Sequence, residues 1–281
     1  MPELPEVETV RKGLIQLVSG KEIMHVDVTW PRIIEQPDVA RFSDQLVGES
    51  IQDVWRRGKF LIFKLTHFDL VSHLRMEGKY EYVKPSSETA IDPHTHVIFT
   101  FRDGSQLHYQ DVRKFGRMSL VAKDQAPNYP GIQKLGPEPT AASFKLQPFS
   151  EQLKRSKKLI KPLLLDQRLV TGLGNIYVDE ALWQARIHPK RVANSLTEKE
   201  VSQLRQAIIE VLAKAVAAGG TTIRTYQNAL GESGNFQTKL HVYGQTNQPC
   251  PRCQTLIVKT KVAQRGTHFC PQCQRLEEVS Q

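Results

Sequence analysis

A chain of 281 residues with 40% hydrophobic and 24% charged residues can bury a sizeable core, which excludes intrinsic disorder, and no stretch approaches the ~18 unbroken apolar residues of a membrane span. At about twice the ~150-residue domain prior it should form two compact domains and a small appendage. Its 38 Lys and Arg against 29 Asp and Glu give a net charge of +9, which favours a polyanionic partner such as nucleic acid over a small neutral substrate.

The first twenty residues, MPELPEVETVRKGLIQLVSG, carry charge throughout and hold no signal core, so a cytoplasmic protein is expected. Within them, Pro5 to Ser19 places Val7, Val10, Leu14, Leu17 and Val18 on one face at helical spacing, with Pro5 suited to the first turn and Gly20 to the stop. From Lys21 to about Val121 the texture changes to short β-branched and aromatic runs (KFLIFKL, THVIFTF, SQLHYQ) broken at Glu77-Gly78 and Asp103-Gly104, which predicts a β-sandwich or barrel. Tyr129 to Pro139 (YPGIQKLGPEP) disfavours both helix and central strand and reads as a linker. Helical patterns follow over about Ser150–Leu165 and Asn175–Ala185. A third opens on a Thr197–Glu200 capping box and buries Val201, Leu204, Ile208 and Val211. A polar, glycine-rich run, AAGGTTIRTYQNALGESGNFQTK, is too long for a simple turn. Finally Val258, Thr260 and Val262 alternate with Lys259 and Lys261 before an AQRG turn, a hairpin with Arg265 at its tip.

Two places carry chemistry on residue types alone. Cys250, Cys253, Cys270 and Cys273 stand as C-P-R-C, sixteen residues, C-P-Q-C, which closes a four-thiolate structural site on a ribbon too small to fold on a hydrophobic core. Four protein ligands leave no position for substrate, so the metal holds the hairpin; spacing alone does not separate zinc from iron. At the other end, removal of Met1 would make Pro2 a secondary amine able to attack a sugar C1′ and form an iminium ion. The helix dipole favours the neutral amine there, while Glu3 and Glu6 favour the ammonium form.

MPELPEVETV, RGKF around Lys59, SHLRMEGKY around His73 and Met76, DVRKFGRM around Arg113 and Phe115, LGPEP, GLGNIYVDEALW around Asn175, GGTT at Thr221 and Thr222, and QRGTHFCPQCQ at Arg265 run nearly end to end. Together they resemble the bacterial formamidopyrimidine-DNA glycosylases, the 8-oxoguanine-DNA glycosylases of base-excision repair. The resemblance implies an α+β chain: an N-terminal helix plus β-sandwich, then a helical helix–two-turns–helix domain with a C-terminal zinc β-hairpin. Its expected division is a catalytic domain at 1–128, a linker at 129–140, a helical DNA-binding domain with a lesion-covering loop at 141–239, and the zinc hairpin at 240–281.

The resemblance makes Pro2 the nucleophile and Glu3 the general acid, and puts Lys59 beside the lesion nucleotide. His73 is placed among the DNA-binding residues, and Met76, Arg113 and Phe115 in the gap left by the extruded nucleotide. Lys158 and Asn175, with Gly172 and Gly174, would grip phosphates, within a basic run that also holds Lys154, Arg155, Lys157 and Lys161. Arg265 would clamp the phosphate beside the flipped nucleotide, and Tyr243 with the loop from Thr221 and Thr222 would cover the base. The implied activity is excision of 8-oxoguanine and formamidopyrimidines followed by β,δ-elimination. One structural Zn2+ and no redox or nucleotide cofactor are expected. The expected partner is double-stranded DNA with oxidised bases or abasic sites, bound by a monomer, away from membranes and associated with the nucleoid through DNA. Gln245 and Asn247 stand where the family usually has arginine and often glycine, which bears only on an auxiliary phosphate contact.

Two other readings compete. An endonuclease VIII-like glycosylase for oxidised pyrimidines shares the N-terminal proline and zinc hairpin, but Leu4 in PELPE with Met76, Arg113 and Phe115 favours the purine branch. A noncatalytic zinc-ribbon DNA-binding protein explains charge and cysteines, but needs no proline–glutamate start.

Overall fold

The computed structural model describes residues 1–85, 87, 90–221 and 235–276. They form two compact units: Met1–Gln133 with the described residues of Gly219–Asn235, and Lys134–Ala218 with those of Phe236–Gln281.

In the first unit, α1 (Leu4–Val18) has the expected amphipathic spacing and buries Val7, Val10, Leu14 and Val18. Gly20 ends it in the left-handed region at φ +79°. After β1 (Ile23–Val28) and β2 (Ile34–Gln36) comes α2 (Val39–Leu46), a helix inside the stretch whose β-branched and aromatic runs predict a β-sandwich or barrel. Asp38 caps it by accepting from Arg41 N at 3.1 Å, and Phe42 and Leu46 anchor it in the core. The remaining strands are β3 (Asp53–Arg57), β4 (Phe60–Lys64), β5 (Phe68–His73), β6 (Lys79–Val83), β7 (Thr95–Phe101), β8 (Gln106–Gln110) and β9 (Arg117–Ala122). They build a four-stranded sheet, β1-β7-β8-β6, and a five-stranded sheet, β2-β9-β5-β4-β3. All pairings are antiparallel except β2 with β9. Val97, Phe99, Leu107, Tyr109, Leu61 and Phe63 fill the core with α1. A single helical turn, α3 (Pro130–Gln133), closes the unit.

The second unit corrects one expected helix. The run over Ser150–Leu165 is two helices, α4 (Leu146–Lys154) and α5 (Ile160–Leu165), separated where Leu159 bridges to Val192. Pro162 explains the break: it lacks an N–H and would clash with a preceding turn in a continuous helix, but it fits the first turn of a new one. Then follow α6 (Asn175–Gln184) and α7 (Glu198–Ala217), whose Thr197–Glu200 capping box is present, with Thr197 N donating to Glu200 Oε2 at 2.8 Å. The hairpin of β10 (Val258–Val262) and β11 (Arg265–Phe269) turns at Ala263 and Gln264, both at positive φ as a type I′ turn requires. Arg265 is the exposed first residue of β11. Among the described residues, no helix is long and apolar enough to cross a membrane.

Candidate functional site

The N-terminal corner is a buried cluster of charge. Pro2 is buried, as are Glu3, Glu6 and Lys59. Glu6, one turn into α1, accepts from the Glu3 N–H with Oε2 at 2.8 Å, and from Thr221 N and Oγ1 with Oε1 at 2.8 and 3.0 Å. Thr221, expected in the lesion loop, is therefore tied to the helix that carries Pro2; Thr222 lies outside the described residues. Gly220 permits this approach, being at φ +76° with Glu6 Oε1 2.8 Å from where a Cβ would stand. Lys59 occupies the second position of a two-residue turn between β3 and β4, whose first residue, Gly58, has φ +57°, as a type II′ hairpin demands. Burial pushes the Met1 α-amine below its usual range and Lys59 pushes the same way, against Glu3, Glu6 and Glu77. The same desolvation and the charge of Lys59 would act on a Pro2 amine once Met1 is removed.

Two loops next to it carry Met76 and Phe115, the residues expected to act as wedges. His73 ends β5, and its pKa is pushed down to about 3 by burial, with the charges of Arg75 and Lys59 adding to the effect. It is therefore neutral, and its Nδ1 accepts from the Arg75 N–H at 2.9 Å, which shapes the turn that presents Met76. Its ring packs edge-on against Phe60 at 4.5 Å. The second loop, between β8 and β9, hangs on Asp111. This buried carboxylate accepts from Arg113 N at 3.0 Å, Phe115 N at 2.8 Å and Gly116 N at 2.7 Å. Arg113 and Phe115 project outward with the guanidinium 4.8 Å from the ring centroid, and Phe115 is 45% exposed. Met76 and Phe115 line one pocket of about 340 Å³ with Met1, Arg75 and Arg117. Asp111 was not singled out in the sequence, where the only hint is an Asp followed by a short polar turn.

In the second unit, Lys158 is exposed at the break between α4 and α5, where a phosphate could reach it. Lys161, counted with that basic run, is corrected: it is fully buried, with Nζ on Asp179 Oδ1 at 2.7 Å, Thr267 Oγ1 at 2.8 Å and Gly266 O at 3.0 Å. Asn175, at the start of α6, gives a side-chain hydrogen bond to Gly266 O at 2.9 Å, so it fastens the hairpin beside Arg265. Its second Nδ2 hydrogen and the helix start are what it offers an anion. Breaking a buried pair such as Lys161–Asp179 costs about 3–5 kcal/mol. Glu180 accepts from the backbone N–H groups of His241, Val242 and Tyr243 at 2.9–3.1 Å. This holds Tyr243, which packs against His268 at 5.0 Å.

Cys250, Cys253, Cys270 and Cys273 bring their Sγ atoms within 4.8 Å of one another, with three pairs at 3.4–3.9 Å. Tetrahedral zinc with bonds of about 2.3 Å needs sulfurs roughly 3.8 Å apart, so the donor set fits zinc. Trp183 supports the site from outside: its indole N–H points at Cys250 Sγ at 3.5 Å, His241 stacks on one ring at 4.2 Å, and the Arg252 guanidinium lies over it at 3.7 Å.

Three family models match in order: the formamidopyrimidine-DNA glycosylase N-terminal domain over residues 1–118, the formamidopyrimidine-DNA glycosylase H2TH domain over 135–227, and a zinc finger found in FPG and IleRS over 247–276. Formamidopyrimidine-DNA glycosylase of Enterococcus faecalis is 67% identical over 277 residues, covering 99% of this chain and 98% of that one. That of Latilactobacillus sakei is 54% identical over 275 residues, covering 98% of each. Among solved structures, a Lactococcus lactis FPG mutant bound to DNA containing Fapy-dG superposes with a TM-score of 0.93 at 47% identity. The Lactococcus lactis Fpg complex with abasic-site DNA gives 0.92 at 48%; in both cases 98% of this chain and 100% of the other are covered.

Proposed function

The chain belongs to the formamidopyrimidine-DNA glycosylase family, and from that premise we propose that it extrudes and excises oxidised purines from double-stranded DNA through Pro2 and then nicks the strand as an AP lyase. The observation that carries the assignment of roles is the buried corner where the start of α1 meets Glu6, Lys59 and Thr221.

With Met1 removed, Pro2 N attacks C1′ of the lesion nucleotide. The bond from C1′ to the base breaks, and its electron pair leaves with the base, which takes up a proton. Glu3 protonates the ring oxygen, the sugar opens, and the proline nitrogen becomes an iminium. Loss of a C2′ proton expels the 3′ phosphate, and loss of a C4′ proton then expels the 5′ phosphate. Glu3, once deprotonated, is positioned to relay these protons. Water returns Pro2 as a free amine. Lys59 supplies positive charge beside the developing anions. Met76, Arg113 and Phe115 occupy the vacated stack, with Arg113 facing the orphaned base. In the second unit, Lys158, the start of α6 at Asn175 and the exposed Arg265 bind phosphates, and Tyr243 covers the base, a role that the family resemblance also gives to the segment from Thr221. The four cysteines hold one zinc, which keeps the β10–β11 hairpin folded. We place the working protein, a monomer, in the cytoplasm on nucleoid DNA, and keep the functional division at 1–128, 129–140, 141–239 and 240–281.

The deciding assay offers labelled duplexes containing 8-oxoguanine, a formamidopyrimidine or an oxidised pyrimidine to the Met1-free protein. Excision of both purine lesions, leaving phosphates at both ends of the gap, is expected. Preference for the pyrimidine lesion would favour the endonuclease VIII-like reading, and binding without excision a noncatalytic protein.

A further inference from the structure

Two separate turns carry the three wedge residues, and both converge on a single buried phenol. Tyr109 stands on β8, its ring fully buried against Tyr80 at 5.2 Å. A Cβ built on Gly116, at the end of the Arg113–Phe115 loop, would stand 1.7 Å from the Tyr109 hydroxyl oxygen; one built on Gly78, at the end of the Met76 turn, would stand 2.2 Å from it. No side chain fits at either position, so both glycines exist to let their backbones close on the same oxygen. Each turn also holds a non-glycine residue in the left-handed region beside its wedge: Arg75 at φ +53° before Met76, and Lys114 at φ +57° between Arg113 and Phe115. Such backbone persists where its surroundings over-determine it. Asp111, two residues beyond Tyr109, fixes the second loop further through its three amide contacts.

The geometry points to Tyr109 as a positioning residue for lesion extrusion: its hydroxyl is the post that joins two otherwise independent turns, so that Met76, Arg113 and Phe115 enter the duplex as one preformed wedge. The inference rests on the reading of those three side chains as the gap-filling set. A wedge is needed most when a stacked, paired base must leave the helix, and least at an abasic nucleotide, which has no base to unstack. Misplacing such a unit by about 1 Å is worth up to roughly 100-fold in rate.

Tyr109→Phe removes the oxygen and little else. Single-turnover excision of 8-oxoguanine from a fully paired duplex should fall roughly 10- to 100-fold, while nicking of a duplex with a preformed abasic site stays within about 2-fold of the parent protein. Gly116→Ala, which must push the second loop off the phenol, should show the same split. A Tyr109→Phe protein equal to the parent on both substrates, or one that loses both activities together, overturns the role of Tyr109. Failure of the parent protein itself to excise 8-oxoguanine would instead overturn the functional reading.

Discussion

Glu3→Gln is expected to lower base excision by about 10²–10⁴-fold, the range typical of a lost general acid. The substitution keeps size and an accepting oxygen but cannot donate a carboxyl proton to the opening sugar. It should also leave the local fold intact: the Glu3 backbone N–H donates to Glu6, and the other half of this capping box, the Glu6 N–H donating to the Glu3 side chain, needs only an accepting oxygen, which Gln retains. Affinity for lesion duplex should therefore survive within a few-fold, and the loss should appear in the single-turnover rate. Gel-shift titration beside quench-flow excision separates the two. An equal loss of affinity and rate would make Glu3 a structural residue, and an unchanged rate would remove the acid from position 3.

Removal of the metal should have the other large effect, on binding. Structural zinc contributes an apparent binding free energy of about 10–16 kcal/mol to a domain of this kind. Among the described residues the apolar cluster around the cysteines is small, with Cys250, Cys270, Ile257 and Val242 about Trp183. Chelation or Cys250→Ser should unfold the hairpin, freeing Gly266 from Lys161 and Asn175 and releasing Arg265 from its fixed position. Loss of one anchoring arginine alone costs 2 kcal/mol or more, roughly 30-fold in affinity. The first unit has its own core and should keep its thermal transition. Elemental analysis reads the metal directly: about one zinc per chain is expected, and a metal-free protein with full affinity for lesion duplex would contradict the role given to the site.

The cysteine quartet, α1, the capping box of α7 and the β texture of the first unit were legible because each is a local pattern. Spacing within a few residues sets the outcome. The break at residues 155–159 was written in Pro162 yet hidden by continuous amphipathic periodicity on either side. α2 is a helix of two turns with only Phe42 and Leu46 fully buried, too short for periodicity to reveal. Lys161 looked like one more surface cation; its acceptors lie 18 and about a hundred residues away, at Asp179, Gly266 and Thr267, beyond any local signal. Glu6 meets Thr221 across 215 residues, and Glu180 meets His241 to Tyr243 across about sixty. Asp111 and Tyr109 escaped for a different reason. Both are themselves buried, and what they do is visible only once the two turns they hold are seen side by side.

Borohydride trapping tests the central claim most directly. Met1-free protein turning over 8-oxoguanine duplex should, on reduction, yield a covalent protein–DNA adduct whose peptide map places the sugar on Pro2. The same chain retaining Met1, whose residue 2 nitrogen is a peptide amide, should give none. An adduct on Lys59, or one undiminished when Met1 is retained, would contradict the assignment of the nucleophile.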